Sequence, residues 1–240
     1  MLVLHPAYPQ HLRNRKLYLA DGVIAAFECK LTLRGRHIPA AAETGAAVKR
    51  LYRERTGTPY SELHRPIIYG LLAHSSDYAG TASNVTFKVQ NRLKAALLGV
   101  IEHPSEMLDV VCVADAGILC LSQDVAIGSG IGEHQREILE DVPGGIISSY
   151  FGTSVGADEN RWDPPGAALG QLISYLLRKM AWEDTSLRRL SGYFEDTLPF
   201  AGIAQPIVWT AEVLSDAVIR KILRRGFEDD CWSEWHNIFF

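Results

Sequence analysis

Glu28 and Lys30 close an apolar run that begins at Gly22 and reads GVIAAFECK. The run is rich in Val, Ile and Phe and predicts a β-strand over 22–30. Successive strand side chains point to opposite faces, so Val23, Ala25, Phe27 and Cys29 share one side. Ile24, Ala26, Glu28 and Lys30 share the other, and that face turns from apolar to charged over two residues. The spacing therefore predicts a carboxylate and an ammonium side by side at the rim of a buried sheet. Hydrolysis of a phosphodiester uses such a pair. A carboxylate holds Mg²⁺ or Mn²⁺, hard cations that take oxygen ligands, and the ion polarises the phosphate and activates water. A lysine nearby orients that water or stabilises charge on the phosphoryl oxygens. The plainer reading of the same spacing is an edge-strand ion pair with no chemistry.

Arg34 and Arg36 follow the strand directly, with His37 after them, and would stand beside the site where DNA phosphates could be contacted. Lys49, Arg50, Arg53 and Arg55 lie on the next helix and read first as a solvated face, with phosphate contact as the alternative. Asp21 precedes Glu28 by a distance of about 23 Å along an extended strand at ~3.3 Å per residue, too far to share its metal. Gly128, Gly130 and Gly132 with Ser129 match neither GxxxxGK[ST] nor GxGxxG and read as a loop. His64, His74, His103 and His134 share no ligand spacing. Asp158, Glu159 and Asp163 read as turn and cap residues. Cys29, Cys112, Cys120 and Cys231 form no CxxC pair, and Cys29 and Cys112 lie inside apolar runs, so buried free thiols in a reducing cytoplasm are expected.

The totals bound the class. A net charge of −4 over 240 residues argues against a protein that coats nucleic acid, and is neutral for an enzyme that meets DNA only through a cleft. A hydrophobic content of 47% with 22% charge is ordinary for a globular protein, and no apolar run is long enough to span a bilayer. The first residues lack a basic segment followed by a long apolar stretch, so the cytoplasm is the expected compartment.

The elements that must position the pair follow from periodicity and turn residues. A short strand at residues 2–4 precedes a polar loop over 6–21 and the strand carrying Glu28. A helix is expected over 37–55, a buried strand over 66–73 and an amphipathic helix over 84–100. Two strands, 108–113 and 117–121, are joined by a tight Ala-Asp-Ala-Gly turn. A loop over 123–144 and a strand at 146–151 precede a helix opened by Asp163-Pro164-Pro165, whose Leu169, Leu172, Ile173, Leu176, Leu177 and Met180 keep helical spacing. A helix over 208–225 and an aromatic terminus (Trp232, Trp235, Phe239, Phe240) complete the chain. The succession predicts an α/β fold, a mixed central β-sheet flanked by helices, with residues 1–183 as one domain and 184–240 as a helical C-terminal extension.

The stretch Gly22–Leu33 (GVIAAFECKLTL) resembles the Glu-x-Lys strand of the NucC-like family of restriction-type endonucleases, members of the PD-(D/E)xK superfamily that act in bacterial anti-phage defence. The following helix, the strand at 66–72, the hairpin around 109–121 and the helix at 165–180 are similar in the same order, so the likeness spans about residues 1–182. The resemblance implies a metal-dependent DNA endonuclease, with Glu28 as metal ligand and Lys30 as catalytic lysine. The family places a metal-binding Asp in the strand before Glu-x-Lys, and Leu2-Val3-Leu4-His5-Pro6 looks like the remainder of that strand. The expectation is a chain lacking an N-terminal helix and part of the first core strand. That departure makes a catalytically inactive nuclease-fold protein, binding DNA or another partner, the alternative. Association with further copies of the chain is expected from the aromatic terminus, and association with a membrane is not.

Overall fold

The computed structural model describes residues 1–128, 131–140, 142, 144–155, 168–197, 205–225 and 232–235. Seven strands form one sheet: β1 (Leu2–Leu4), β2 (Val23–Leu33), β3 (Ile68–Ser76), β4 (Val110–Val113), β5 (Gly117–Ala126), β6 (Gly145–Ser154) and β7 (Ile207–Thr210). Their order in the sheet is their order in the chain. β2 pairs with β3, and β3 with β4, in parallel; the remaining pairs are antiparallel. The helices are α1 (His37–Arg50), α2 (Pro59–Leu63), α3 (Ala82–Leu98), α4 (Glu133–Leu139), α5 (Ala168–Glu183), α6 (Arg188–Thr197) and α7 (Asp216–Arg224). This is the α/β architecture with a mixed sheet flanked by helices that the sequence predicts.

Parallel neighbours need a crossover, and α1 and α3 supply the two here. Both crossovers run in the same direction across the sheet, so both helices cover one face. Ile38, Ala41, Ala42, Leu93 and Leu97 bury against Tyr69, Leu71, Val111, Leu119 and Leu121. α5 covers the opposite face, where Leu172 and Tyr175 meet Ala25, Phe27, Val110, Cys112, Ile118 and Cys120. Because both faces of β4 are covered, its four residues read as a continuous apolar run rather than an alternation.

The structure departs from expectation where polar residues are buried or where apolar ones suit two periods. β5 outruns the predicted strand because Gln123, polar and loop-like in the sequence, finds a partner inside, and β6 runs on from the predicted 146–151 to Ser154. The Gln123 amide donates to the Pro104 carbonyl at 2.9 Å, and Trp209 Nε1 donates to Ser148 Oγ at 3.1 Å. The helix expected over 208–225 begins only at Asp216, behind a Ser215 cap. Ile207, Val208, Trp209 and Thr210 are β-branched or aromatic and instead extend the sheet along β6. The predicted 123–144 loop contains α4, the helix from 37 stops at Arg50, and α2 forms on a Thr58 cap with Pro59 at its first position. Ser129, Gly130, Asp158, Glu159, the Asp163-Pro164-Pro165 start, Cys231, Phe239 and Phe240 lie outside the described residues. Trp232 packs edge-on to Trp182 at 5.2 Å with the Arg188 guanidinium over its ring, and Trp235 carries Arg225, so these aromatics are used within the chain.

Candidate active site

β2 changes environment along its length. Ala25, Ala26 and Phe27 are buried, Glu28 and Lys30 are half-buried, and Cys29 and Leu31 are exposed. The reason is strand length. β3 and β4 stop pairing at Ala73 opposite Val113, while β2 and β3 continue to Leu33 opposite Ser76. β2 and β3 therefore pair on as a two-stranded ribbon past the end of β4, with Leu33 still buried in the α1-side core, and Glu28 and Lys30 stand at the last levels that β4 pairs. Cys29 points to the α5 side beyond that helix's cover. This corrects the expectation of a buried thiol there, whereas Cys112 and Cys120 are buried.

The two charged groups meet as their spacing predicts. Lys30 Nζ lies 3.1 Å from Glu28 Oε2, with side chains 33% and 22% exposed. The second carboxylate oxygen is also held, by a residue that no sequence motif marks. Tyr69 stands on β3 opposite Ala26, on the same face, and its hydroxyl donates to Glu28 Oε1 at 3.0 Å. Burial pushes the Tyr69 phenol well above its usual range, and the bond to Glu28 adds to the effect, so it remains a donor.

Tyr69 is itself clamped. Its ring lies under α1 at Gly45, where an added Cβ would stand 2.9 Å from Tyr69 Cδ1 and 2.8 Å from Leu108 Cδ1. Its backbone N–H donates to Asp109 Oδ2 at 2.7 Å. The same oxygen lies 2.7 Å from Lys49 Nζ in an ion pair with both side chains buried. No local signal in the sequence joins Lys49, Tyr69 and Asp109; a Tyr two positions into a buried strand was the one available hint, since a buried phenol needs a hydrogen-bond partner.

Arg34 and Arg36 are exposed at the end of the ribbon. Their charges and that of Lys30 converge on His37, whose pKa is lowered first by burial and then by Lys30, Arg36 and Arg34. The Arg34 N–H donates to His37 Nδ1 at 3.1 Å, which orders the turn into α1. The rim thus carries three cations, with the carboxylates of Glu28 and Asp77 near them. Of the cations of α1 and the segment after it, Arg53 is exposed as the solvated-face reading expects, and the other three are used otherwise, which corrects that reading for them. Lys49 is buried on Asp109, Arg50 makes a bidentate pair with Glu106 at 2.7 Å, and Arg55 reaches Glu183 at 2.7 Å. Asp21 sits before β2 begins, at the end of the strand away from Glu28.

Among the described residues no group of three or more His, Cys, Asp or Glu gathers where it could hold a metal ion. Glu28 is the carboxylate beside Lys30. Mg²⁺ commonly takes one or two carboxylates and completes its octahedron with water and substrate phosphate oxygens, so a single hard oxygen donor among cations that attract phosphate fits an ion delivered with its substrate. Glu28 would hold that ion, and the ion would polarise the phosphate and lower the pKa of bound water.

No family model matches the sequence, and no curated protein does. Among solved structures the chain is similar to NucC of P. aeruginosa ATCC27853 in its cAAA-bound form, at 22% identity and a TM-score of 0.36, over 67% of this chain and 54% of that one. NucC of E. coli MS115-1 in its cAAA-bound form aligns at 27% identity and a TM-score of 0.29, over 42% and 40% of the two chains. Its apo form gives 25% and 0.28. The chain thus spans about half the length of the first of these proteins, and superpositions this loose assign it no activity. No helix among the described residues is long and apolar enough to cross a membrane.

Proposed function

We propose that this chain is a metal-dependent DNA endonuclease whose centre is the Glu28–Lys30 rim. The observation that carries the reading is the 3.1 Å juxtaposition of the two groups where the β2–β3 ribbon begins to outrun β4, followed in the chain by Arg34 and Arg36. Arg34 and Arg36 bind backbone phosphates and so position the DNA without reading its sequence. Glu28 supplies the oxygen donor for Mg²⁺ or Mn²⁺. Lys30, a compact charge on a flexible stem, faces the scissile phosphate and stabilises charge on its oxygens. In the reaction a water oxygen forms the new bond to phosphorus, the bond to the leaving oxygen breaks, and that oxygen departs with a proton.

The test is cleavage of supercoiled plasmid in Mg²⁺ and in Mn²⁺ by the full chain and by Glu28→Gln and Lys30→Ala. Loss of a charge-stabilising group costs about 100-fold or more in rate. Equal cleavage by all three proteins removes the site from the account.

A second reading has its own support: three cations, Lys30, Arg34 and Arg36, gather at the rim, and among the described residues no group of three or more His, Cys, Asp or Glu forms that could hold a metal. A nuclease-fold protein that binds DNA without cutting it would keep this balance. Duplex binding that is salt-dependent, lost in Arg34→Ala/Arg36→Ala and unaccompanied by cleavage in either ion decides for it.

A further inference from the structure

In a chain of net charge −4, α3 reads ASNVTFKVQNRLKAALL, with three cations and neither Asp nor Glu. Asn84, Lys88 and Arg92 recur in it at four-residue spacing, which sets them in one stripe about 6 Å apart along the helix. All three are exposed, and among the described residues Arg92 forms no ion pair.

The segment after β3 fixes where this stripe lies. A Cβ added at Gly80 would stand 3.0 Å from Asn84 Cβ, and Lys88 Nζ donates to the Ala79 carbonyl at 2.7 Å. One turn further on, Arg92 comes level with Tyr78: burial raises the phenol above its usual range, and the Arg92 charge pulls it back. The Tyr78 hydroxyl oxygen in turn lies 3.3 Å from where a Cβ on Gly35 would stand, at the turn that presents Arg34 and Arg36. Tyr78 therefore stands between that turn and the stripe. Both α1 and α3 begin at the end of the sheet where Glu28 and Lys30 stand, on the face those two share with Tyr69. Asp77, on the same segment, and Asp115, in the β4–β5 turn, are exposed carboxylates at that end, against Arg34, Arg36, Lys88 and Arg92.

We infer that Arg92 is a positioning residue for duplex DNA, holding a backbone phosphate on α3 beyond those that Arg34 and Arg36 hold. The inference rests on the endonuclease reading above and extends the surface that its substrate occupies. A guanidinium offers a phosphate two parallel N–H donors, and such contacts fix the register of the duplex without reading its bases. The absence of acid along α3 removes the like-charge opposition that a Glu at any turn would set against the backbone.

The test is fluorescence anisotropy of a labelled short duplex in EDTA, titrated with the full chain over a series of KCl concentrations. The proteins are the unmodified chain, Arg92→Ala, Arg92→Lys, Arg34→Ala/Arg36→Ala and Arg220→Ala. Arg220 is an exposed cation on α7, which packs on Val125 at the other end of the sheet. Arg92→Ala is expected to bind about five- to tenfold more weakly at 0.1 M KCl, with the slope of log affinity on log salt smaller by about one. Arg92→Lys keeps the slope, which a merely structural role for the side chain would not require, and Arg220→Ala leaves both quantities unchanged. If Arg92→Ala binds as the unmodified chain does, or Arg220→Ala loses as much, while binding still depends on Arg34 and Arg36, the role of Arg92 is overturned and the endonuclease reading stands. No binding by the unmodified chain, with no plasmid cleavage in either ion, overturns both.

Discussion

Two carboxylate–ammonium pairs stand about one tyrosine apart in this molecule, and their settings are opposite. Glu28 and Lys30 meet at 3.1 Å where the β2–β3 ribbon begins to outrun β4, half open to water. Asp109 and Lys49 meet at 2.7 Å with side chains 6% and 3% exposed, and Lys179 and His64 lie in the same interior region, Nζ 3.3 Å from Nδ1. Tyr69 touches both pairs, with its hydroxyl on Glu28 and its backbone N–H on Asp109. The comparison separates two uses of the same chemistry. The outer pair has partners that can be exchanged for a phosphate or an ion, whereas the inner pair has given up hydration and cannot be opened without leaving a charge in the core. Binding belongs to the first and architecture to the second.

Breaking each pair in turn is the sharpest way to challenge that division. Asp109→Ala strands Lys49 in the interior and is expected to destabilise the chain by about 3–5 kcal/mol in urea unfolding. Lys30→Ala at the rim is expected to cost less than about 1 kcal/mol, because water screens and replaces the lost partner. Equal costs would erase the distinction.

The interior cluster should also mark itself by pH. Burial lowers Lys179 to about 8 against the opposing pull of Asp109. Above that value the unfolded chain holds a proton that the folded chain has released, so Lys179 contributes stability that grows as pH climbs from 8 to 10. The raised thiols of Cys112 and Cys120 act the other way as their unfolded counterparts ionise near 9. The lysine's part is therefore read as the difference between the chain and Lys179→Met. It is at most about 3 kcal/mol, because each tenfold loss of proton affinity is worth about 1.4 kcal/mol. His64 is lowered well below 6.5, first by burial and then by Lys179 and Lys49. The folded state keeps it neutral while the unfolded state protonates, so stability falls as pH drops through about 6.5. Thermal melts of the chain and of Lys179→Met from pH 5 to 10 check both signs; no difference between the two proteins above pH 8, or no loss of stability below about 6.5, contradicts the buried placement of these groups.

Gly45→Ala probes the clamp on Tyr69. Helix propensity alone predicts a gain of about 1 kcal/mol for Ala over Gly in a helix interior. The added methyl would instead press on the Tyr69 ring and Leu108, and an overpacking cost of about 1–3 kcal/mol is expected to win. A stabilised variant in chemical denaturation would show that α1 does not pin the ring. The smallest expected effect is at Cys29: modification with a thiol reagent should proceed at once there, with negligible loss of stability, while Cys112 and Cys120 react only on unfolding.

The outer pair was legible in the sequence because its geometry is local. Two residues at period 2 on an apolar strand must share a face, and the change from Ala26 to Glu28 marks the rim. The inner pair was illegible for the converse reason. Lys49 looks like a surface residue on α1, and nothing near it in the chain announces Asp109. Only the parallel alignment of β2, β3 and β4 sets that carboxylate beside it. Tyr69 was hidden in a run, PIIYGLLA, whose apolar character announces burial but not the direction of one hydroxyl. The same limit applies to Ile207–Thr210, where residues that suit a sheet edge also continued an apparent helix, and to Gln123, whose polarity suggested a loop although its amide nitrogen finds the Pro104 carbonyl.

The central claim is that Glu28 Oε2, beside Lys30, is the atom on which a divalent ion and a phosphodiester converge. Crystals of the full chain soaked in MnCl₂ with a short duplex, measured at the manganese edge, test it in one map. The expected result is an anomalous peak about 2.2 Å from Glu28 Oε2, with a phosphate oxygen of the duplex on the same ion and Tyr69 still bonded to Oε1. Duplex bound at Arg34 and Arg36 with no peak at Glu28, or manganese held only elsewhere on the chain, would contradict it.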